Sequence, residues 1–413
     1  MINTLPSMKI LKTWKQFSRH QKTTLLLCSL SFLLILGSYP FIRSLAQSLF
    51  LEHVGVANRP LAWIITIVTL MGVISLFSFL QKKTVVQKLY LLLGGLSFTI
   101  LGGSYYLMEN GQTWAAYSFF VWKEVYIVML VGMIFSFCNN LFTQDQAKLI
   151  YGPIGAIGAI GGIVGGLATS SLSSSHRLDL VIIIGAVLII LSSICFLFTG
   201  HEQEISQVEE KVEPKMSPLG AIKDVKVYVA FMCLLVASTQ FAINSASQIF
   251  YQILQEAMPD KFERTAFLGK MFSSINMISL SINLLVMPWL LNLLSSRSLH
   301  YLIPILFLIA VSFLGAGVPL LVAGGVFVSF KAVDYSLFSV IKELLYFPLN
   351  KMQKYGAKYI TDVFVYRSAK TVIALLLLKF STQQDIFVIL IASLILWFIS
   401  VILIDRYQRK LKN

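Results

Sequence analysis

Runs of about 18 or more consecutive apolar residues recur from one end of this chain to the other. At a rise of 1.5 Å per residue, each is long enough to cross a hydrocarbon layer about 30 Å thick. No water is present at that depth, so each segment must close its own backbone hydrogen bonds, as a helix does. Composition agrees: 57% of the 413 residues are hydrophobic and 13% charged, with a mean hydropathy of +0.78. A soluble domain carries about 25% charged residues. The expected fold class is therefore an all-α polytopic membrane protein.

Gly, Pro and charge punctuation divides the apolar sequence into twelve spans, six on each side of one polar break. The first six lie near 23–41, 61–80, 87–107, 115–141, 152–171 and 179–199. The second six lie near 227–254, 266–294, 300–315, 317–347, 359–380 and 384–404. The break is "HEQEISQVEEKVEPKMSPLGAIKDVK", whose Glu, Lys and Pro content suits a solvated linker with at most a short surface helix. The expected domains are a basic tail (1–22), a six-helix half (23–199), a linker (200–226), a second half (227–405) and a basic tail (406–413).

The net charge of +14 is distributed by topology. Lys9, Lys12, Lys15, Arg19 and Lys22 precede span one, Lys82, Lys83 and Lys88 precede span three, and Lys351, Lys354 and Lys358 precede span eleven. Arg406, Arg409, Lys410 and Lys412 close the chain. The positive-inside rule then makes both termini and the linker cytoplasmic. The opposite loops, "LEHVGVANRP", "MENGQT", "SSLSSSHRLD" and "STQQD", hold few basic residues. No clear small-residue cleavage site ends the first apolar run, and the basic tail is too short and poor in Ser and Arg for an organellar transit peptide. A retained first helix in a bacterial inner (cell) membrane is expected. Dispersed basic residues also argue against a nucleic-acid partner.

Six plus six spans around a cytoplasmic linker is the major-facilitator layout, in which two pseudo-symmetric halves enclose a midplane substrate site. Layout argues transport more strongly than it argues substrate. Cys28, Cys138, Cys195 and Cys233 each sit in an apolar run with no CxxC spacing, so neither a metal site nor a disulfide framework is expected. There is no GxxxxGK[ST] loop and no HExxH, and no polar domain is large enough for a soluble active site. We expect a non-enzyme without a cofactor. In "GPIGAIGAIGGIVGG", Gly158, Gly162 and Gly166 form GxxxG steps on one helix face and permit close approach of a neighbouring helix. A dinucleotide-binding loop would need a preceding strand that the sequence does not supply. The same steps serve packing within one chain or between chains, so they leave the oligomeric state open.

A charged side chain near the bilayer centre costs about 2.5 to 3.5 kcal/mol, so such residues face a cavity or a partner and mark substrate paths. Arg43 follows the first apolar run in "SYPFIRSLAQSLF", and Lys123 and Glu124 sit in "FFVWKEVYIVML". Lys331, Asp334, Lys342 and Glu343 sit in "FKAVDYSLFSVIKELLYFPL", and Asp362, Arg367 and Lys370 in "YITDVFVYRSAKTVIALLLL". Arg43 and Lys123 have the alternative of snorkelling to an interface, and Asp362 with its basic neighbours that of lying at the cytoplasmic headgroups.

At 100° per residue, Lys331, Asp334, Tyr335, Lys342 and Tyr346 share a stripe about 120° wide, which is expected to face a polar cavity or a polar partner helix. Lys331 and Lys342 take nearly one angular position and lie about 16 Å apart along the axis. Asp334 is placed to neutralise Lys331 in an empty site, and Glu343 to partner a cation on an adjacent helix. The balance is basic, which favours an anionic small-molecule substrate over a cation or a sugar. Phe330, Tyr335, Phe338, Tyr346, Trp122 and Tyr126 offer faces for stacking a base, or serve as packing and interface belt.

The stretch "YSLFSVIKELLYFPLNKMQKYGAKYITDVFVYRSAK" resembles the nucleotide transporters, or ATP/ADP translocases, of obligate intracellular bacteria and plastids. Tyr335 to Phe338, Lys342, Glu343, Tyr346, Pro348, Leu349, Lys358, Asp362, Val363, Arg367 and Lys370 carry the likeness. A second match, "KEVYIVMLVGMIFSFCNNLFTQDQAKLIYGPIGAIG", places Glu124, Asn140, Asp145, Lys148 and Tyr151 in family positions, and "SYPFIRSLAQ" keeps Arg43. The resemblance spans most of the chain at low identity and is specific in spans four, ten and eleven. It implies twelve spans and a nucleotide substrate; together with the polar stripe it makes Lys331, Arg43, Glu124, Asn140, Asp334, Tyr335 and Lys342 the expected substrate contacts. Glu343, Asp362, Arg367 and Lys370 are expected as gating or structural charges. Two positions depart from the family: Ala46 stands where its exchangers carry a substrate-binding Lys, and Ser247 where a family Glu stands.

The expected function is an alternating-access nucleotide carrier. A carrier of the same architecture for another organic anion or drug is the alternative within this class, separable by a substrate screen. A transport-inactive membrane scaffold is the alternative outside it, for which charge mutations would change stability and no flux.

Overall fold

The computed structural model describes residues 17–142, 144–200, 217–314 and 317–412. The basic tail with Lys9, Lys12 and Lys15, residues 201–216 of the linker, and the side chains of Asp145 and Lys148 lie outside the described residues. Among the described residues the chain is helical and has no strand.

The expected segments correspond to α1 (Arg19–His53), α2 (Arg59–Leu80), α3 (Val86–Glu109), α4 (Trp114–Leu141), α5 (Gln144–Ser174) and α6 (Leu178–Leu197), followed by α7 (Lys226–Ala257), α8 (Lys261–Leu293), α9 (Ser296–Ser312) and α10 (Leu320–Leu344). Helix α11 runs through Lys351–Lys358, Tyr359–Val365 and Tyr366–Lys379 without a break, and α12 is Gln383–Lys412. Ten of these helices are long and apolar enough to cross a membrane. The exceptions are α9, which is short, and α11, which carries Asp362, Arg367 and Lys370 within its apolar part.

Local chemistry sets several boundaries. Ser18 and Gln21 form a capping box at the start of α1, with Gln21 N–H donating to Ser18 Oγ at 3.1 Å and Ser18 N–H to Gln21 Oε1 at 3.0 Å. Asn350 and Gln353 repeat this device at the start of α11. Helix α1 runs twelve residues beyond the expected end of span one, from 41 to His53. The extension is packed: Leu45, Ala46, Leu49 and Phe50 are buried. The Phe50 ring lies 4.6 Å from Phe120 and 5.2 Å from Tyr117 of α4. Pro40 sits inside the helix, where neighbouring helices satisfy what a proline frees. Arg43 is therefore inside a helix rather than after one.

The helices group into two compact units. The described residues of the first lie within Met1–Val54, Val68–Lys211 and Asp260–Met277; those of the second lie within Gly55–Ile67, Val212–Pro259 and Ile278–Asn413. In the first unit α1 is central and packs on α4, α5 and α6. Glycine makes the α1–α5 approach possible. A Cβ at Gly161 would stand 2.3 Å from the Leu33 carbonyl oxygen, and one at Gly165 would stand 2.2 Å from that of Gly37. The single face expected for Gly158, Gly162 and Gly166 is in fact divided. Gly158 faces Phe32 and Leu36 of α1 along with Gly161 and Gly165, while Gly162 and Gly166 face Asn276, Gly269 and Ser273 of α8. A helix with glycines at both three- and four-residue spacing presents two small-residue ridges, and each receives its own neighbour.

In the second unit α7 is the central helix and packs on α10, α11 and α12. Aromatic stacking fills its core, with Phe250 on Phe327 at 4.3 Å and Phe307 on Phe330 at 4.0 Å. Three π-helical stretches interrupt α8, α10 and α11, at Ile282–Val286, Asp334–Phe338 and Tyr359–Val365. Such insertions are rare and recur at functional sites.

Candidate functional site

The second unit gathers the charges of α10 and α11. Lys342 Nζ donates to Asp362 Oδ1 at 2.9 Å, and Tyr346 Oη donates to the same oxygen at 3.0 Å. Thr361 Oγ1 lies 2.5 Å from Tyr346 Oη and 3.2 Å from Asp362 Oδ1, which closes a four-residue network. One turn towards the helix ends, Lys358 Nζ meets Glu343 Oε2 at 2.6 Å. Both pairs cross from α10 to α11. The Lys342–Asp362 pair is part-buried, its side chains 19% and 27% exposed; the Lys358–Glu343 pair is open.

Lys331 and Asp334 behave differently. Lys331 is half-buried, with its Nζ 5.8 Å from the centre of the Tyr335 ring, and Tyr335 itself is exposed. The expected neutralisation of Lys331 by Asp334 does not take the form of a contact. Among the described residues neither side chain makes an ion pair within 4.0 Å or a hydrogen bond. Lys331 and Lys342 do both act on Asp334 through space. Lys331 stands about 16 Å along α10 from Leu320, near mid-span.

The π-helical stretch explains why the expected stripe does not hold. It inserts one residue, so everything beyond it turns back by about 100° relative to an unbroken α-helix. Lys331 and Lys342, about 20° apart in an ideal helix, become about 80° apart. Asp334 and Lys342 come into line within about 20°. The polar row is therefore Asp334, Lys342 and Tyr346, with Lys331 on its flank. Of the remaining α11 charges, Arg367 is half-buried and, among the described residues, makes no ion pair; Lys370 is half-buried on the same helix.

The first unit holds the other candidates. The Arg43 guanidinium lies 4.0 Å from the centre of the Phe272 ring of α8 and 5.3 Å from that of Tyr39. Tyr39 in turn lies 6.4 Å from Tyr126 of α4. Lys123 is fully buried, so snorkelling to an interface is excluded. Its ammonium is held by Glu124 at 2.7 Å and by the Phe120 ring at 3.9 Å. Glu124 thus faces its own neighbour in sequence. Asn140 is half-buried near the end of α4, beside Asn139, which accepts from the Tyr151 hydroxyl of α5. Ala46 and Ser247 are buried and uncharged.

Two buried arginines escaped the sequence reading. Arg264 of α8 donates to Ser48 carbonyl oxygen at 2.9 Å and to Glu52 Oε2 at 2.7 Å, tying α8 to α1 within the first unit. Arg59, in the segment "LEHVGVANRP" expected as a loop, opens α2. It is enclosed by Tyr251 at 3.7 Å and Trp63 at 5.2 Å, and donates to Gln248 at 2.9 Å in the second unit. Both lie just outside or at the edge of apolar runs, where basic residues read as loop.

No protein-family model matches the chain. ADP,ATP carrier protein 2, chloroplastic, of Arabidopsis thaliana is 23% identical over 288 residues, which are 61% of this chain and 47% of the carrier. The match thus spans about half the length of that relative. Among solved structures, a bacterial homologue of the iron transporter ferroportin in an inward-facing state aligns with a TM-score of 0.68 at 14% identity, over 95% of this chain and 99% of its own. A bacterial metal transporter aligns at 0.66 and 13% identity, over 93% and 98%. A variant of the nucleoside transporter NupG aligns at 0.64 and 14% identity, over 94% and 99%. At these identities the likeness shows the fold alone. The chain is a multi-pass integral membrane protein with the major-facilitator-like fold of membrane transporters.

Proposed function

We propose that this protein is an alternating-access carrier of nucleotides or a related phosphorylated metabolite. The observation that carries the reading is Lys331, a cation near mid-span in α10 with no carboxylate bonded to it, four residues before the stretch that resembles the nucleotide transporters. Lysine at such a depth is costly unless it meets an anion, and a phosphate oxygen supplies a charge-assisted partner. The likeness to the chloroplast ADP,ATP carrier supports the same substrate class. Arg43, Glu124, Asn140, Asp334, Tyr335 and Lys342 are the other substrate-facing candidates. Glu343, Asp362, Arg367 and Lys370 brace or gate α10 and α11. Transport of this kind needs no bond cleavage, and hence no catalytic residue. The basic loops support the reading of both termini as cytoplasmic, and a bacterial inner membrane is proposed with it.

A second reading is favoured by one observation. Ala46 and Ser247 replace two charged family positions with small buried residues, which suits an organic anion other than a strictly exchanged ATP/ADP pair.

The test is uptake of labelled ATP, ADP and NAD into liposomes bearing the protein, with Lys331→Ala and Lys331→Arg alongside. A charge-assisted hydrogen bond is worth about 1.5 to 3 kcal/mol, so Lys331→Ala is expected to lower uptake about tenfold to a hundredfold and Lys331→Arg far less. No uptake of any of the three by the wild type, under either gradient direction, would overturn the nucleotide reading.

A further inference from the structure

We propose that Asp334 is a proton-binding site that couples uptake of the anionic substrate to the entry of protons. The inference rests on the functional reading above and adds to it the driving ion and its seat. Three features of α10 lead to it. Asp334 lies within the spanning helix, half-buried, and among the described residues its carboxylate has neither an ion pair nor a hydrogen bond. It opens the π-helical stretch Asp334–Phe338, where the helix departs from regular geometry. Among the described residues the charges that act on it are Lys331 and Lys342, and Lys342 is already bonded to Asp362 at 2.9 Å.

Among the described residues the neighbouring elements contribute no further charge. Helices α7, α8 and α9 pack against α10, and their ionisable residues, among them Lys226 and Glu256 of α7 and Arg297 and His300 of α9, are not among the groups acting on Asp334. Nor are Arg367, Lys370 or Lys358 of α11. Lys331 is thus the one uncommitted cation that compensates the Asp334 carboxylate.

An anion bound by Lys331 removes that compensation and sets a second negative charge beside Asp334 in a medium that cannot solvate either. Two like charges so placed are not both retained, and the carboxylate takes a proton from the aqueous side open to the site. Linkage makes the effect reciprocal: protonation of Asp334 frees Lys331 for the anion, so anion affinity rises as pH falls. On release the anion leaves, Lys331 again compensates the carboxylate, and the proton departs to the opposite side. One proton crosses with each anion, and no redox partner is required.

Wild-type protein in liposomes decides the matter with labelled ATP and an internal pH dye. With the outside acidic and no nucleotide inside, ATP is expected to accumulate and the lumen to acidify in step with it. Asp334→Asn is expected to flatten the pH profile of uptake and to lower accumulation driven by the pH gradient at least tenfold relative to counterflow in the same vesicles; Asp334→Glu restores the coupling. ATP that moves only against internal nucleotide, with no acidification, overturns the proposal and leaves nucleotide carriage standing. ATP that moves in neither assay overturns both. Should Asp334→Asn fail to fold, the proton flux of the wild type still decides.

Discussion

Asp362→Ala is expected to lower the melting temperature of the purified protein sharply, and the Lys342→Ala/Asp362→Ala double variant to recover most of the loss. In the wild type the Asp362 carboxylate accepts from the Lys342 ammonium and the Tyr346 hydroxyl. Removing it leaves a part-buried ammonium without its acceptor. Breaking a buried pair in this way costs about 3 to 5 kcal/mol, and the partial exposure of both side chains sets the expectation at the low end, about 3 kcal/mol. Deleting both charges costs much less, because no unpaired charge remains. A thermal-shift cycle over the four proteins measures the coupling directly. Equal losses in Asp362→Ala and the double variant would mean that the pair does not brace α10 against α11.

Gly165→Leu should abolish accumulation of folded protein. The Cβ alone would stand 2.2 Å from the Gly37 carbonyl oxygen and 3.1 Å from its carbon. The obstacle is backbone of α1, the central helix of the first unit, so no side chain can rotate away. Overpacking costs about 1 to 3 kcal/mol where side chains yield, and more than about 3 kcal/mol is expected here. Gly72→Leu is the control, since nothing lies within 4 Å of the position a Cβ would take. Detergent-solubilised protein followed by size-exclusion chromatography should show a monodisperse peak for the control and none for Gly165→Leu. A normal peak for Gly165→Leu would mean that α1 and α5 are not packed as described.

Much of this architecture was readable from the sequence because lipid imposes few choices. The helical segments follow from apolar length, and the two capping boxes sit where Ser18 and Asn350 precede Gln three residues on. What could not be read depends on tertiary contacts. Nothing near Asp334 announces a π-helical insertion, yet that one residue turns Lys331 off the row formed by Asp334, Lys342 and Tyr346. Lys342 was assigned to a polar stripe, while its partner Asp362 lies twenty residues further on another helix. The Arg264–Glu52 pair joins residues 212 positions apart, beyond any local pattern. Gly161 and Gly165 lie in a glycine-rich run whose regular four-residue spacing is that of Gly158, Gly162 and Gly166, and only the approach of α1 distinguishes them.

The claim that α10 meets a phosphate-bearing anion is tested most directly by competition binding to the purified protein. Labelled ATP is bound to the wild type and challenged with unlabelled ATP, ADP and adenosine. If phosphate is what Lys331 recognises, ATP and ADP displace the label and adenosine does not, and Lys331→Ala binds the label at least tenfold more weakly. Displacement by adenosine as effective as by ADP, or undiminished binding by Lys331→Ala, would contradict the account.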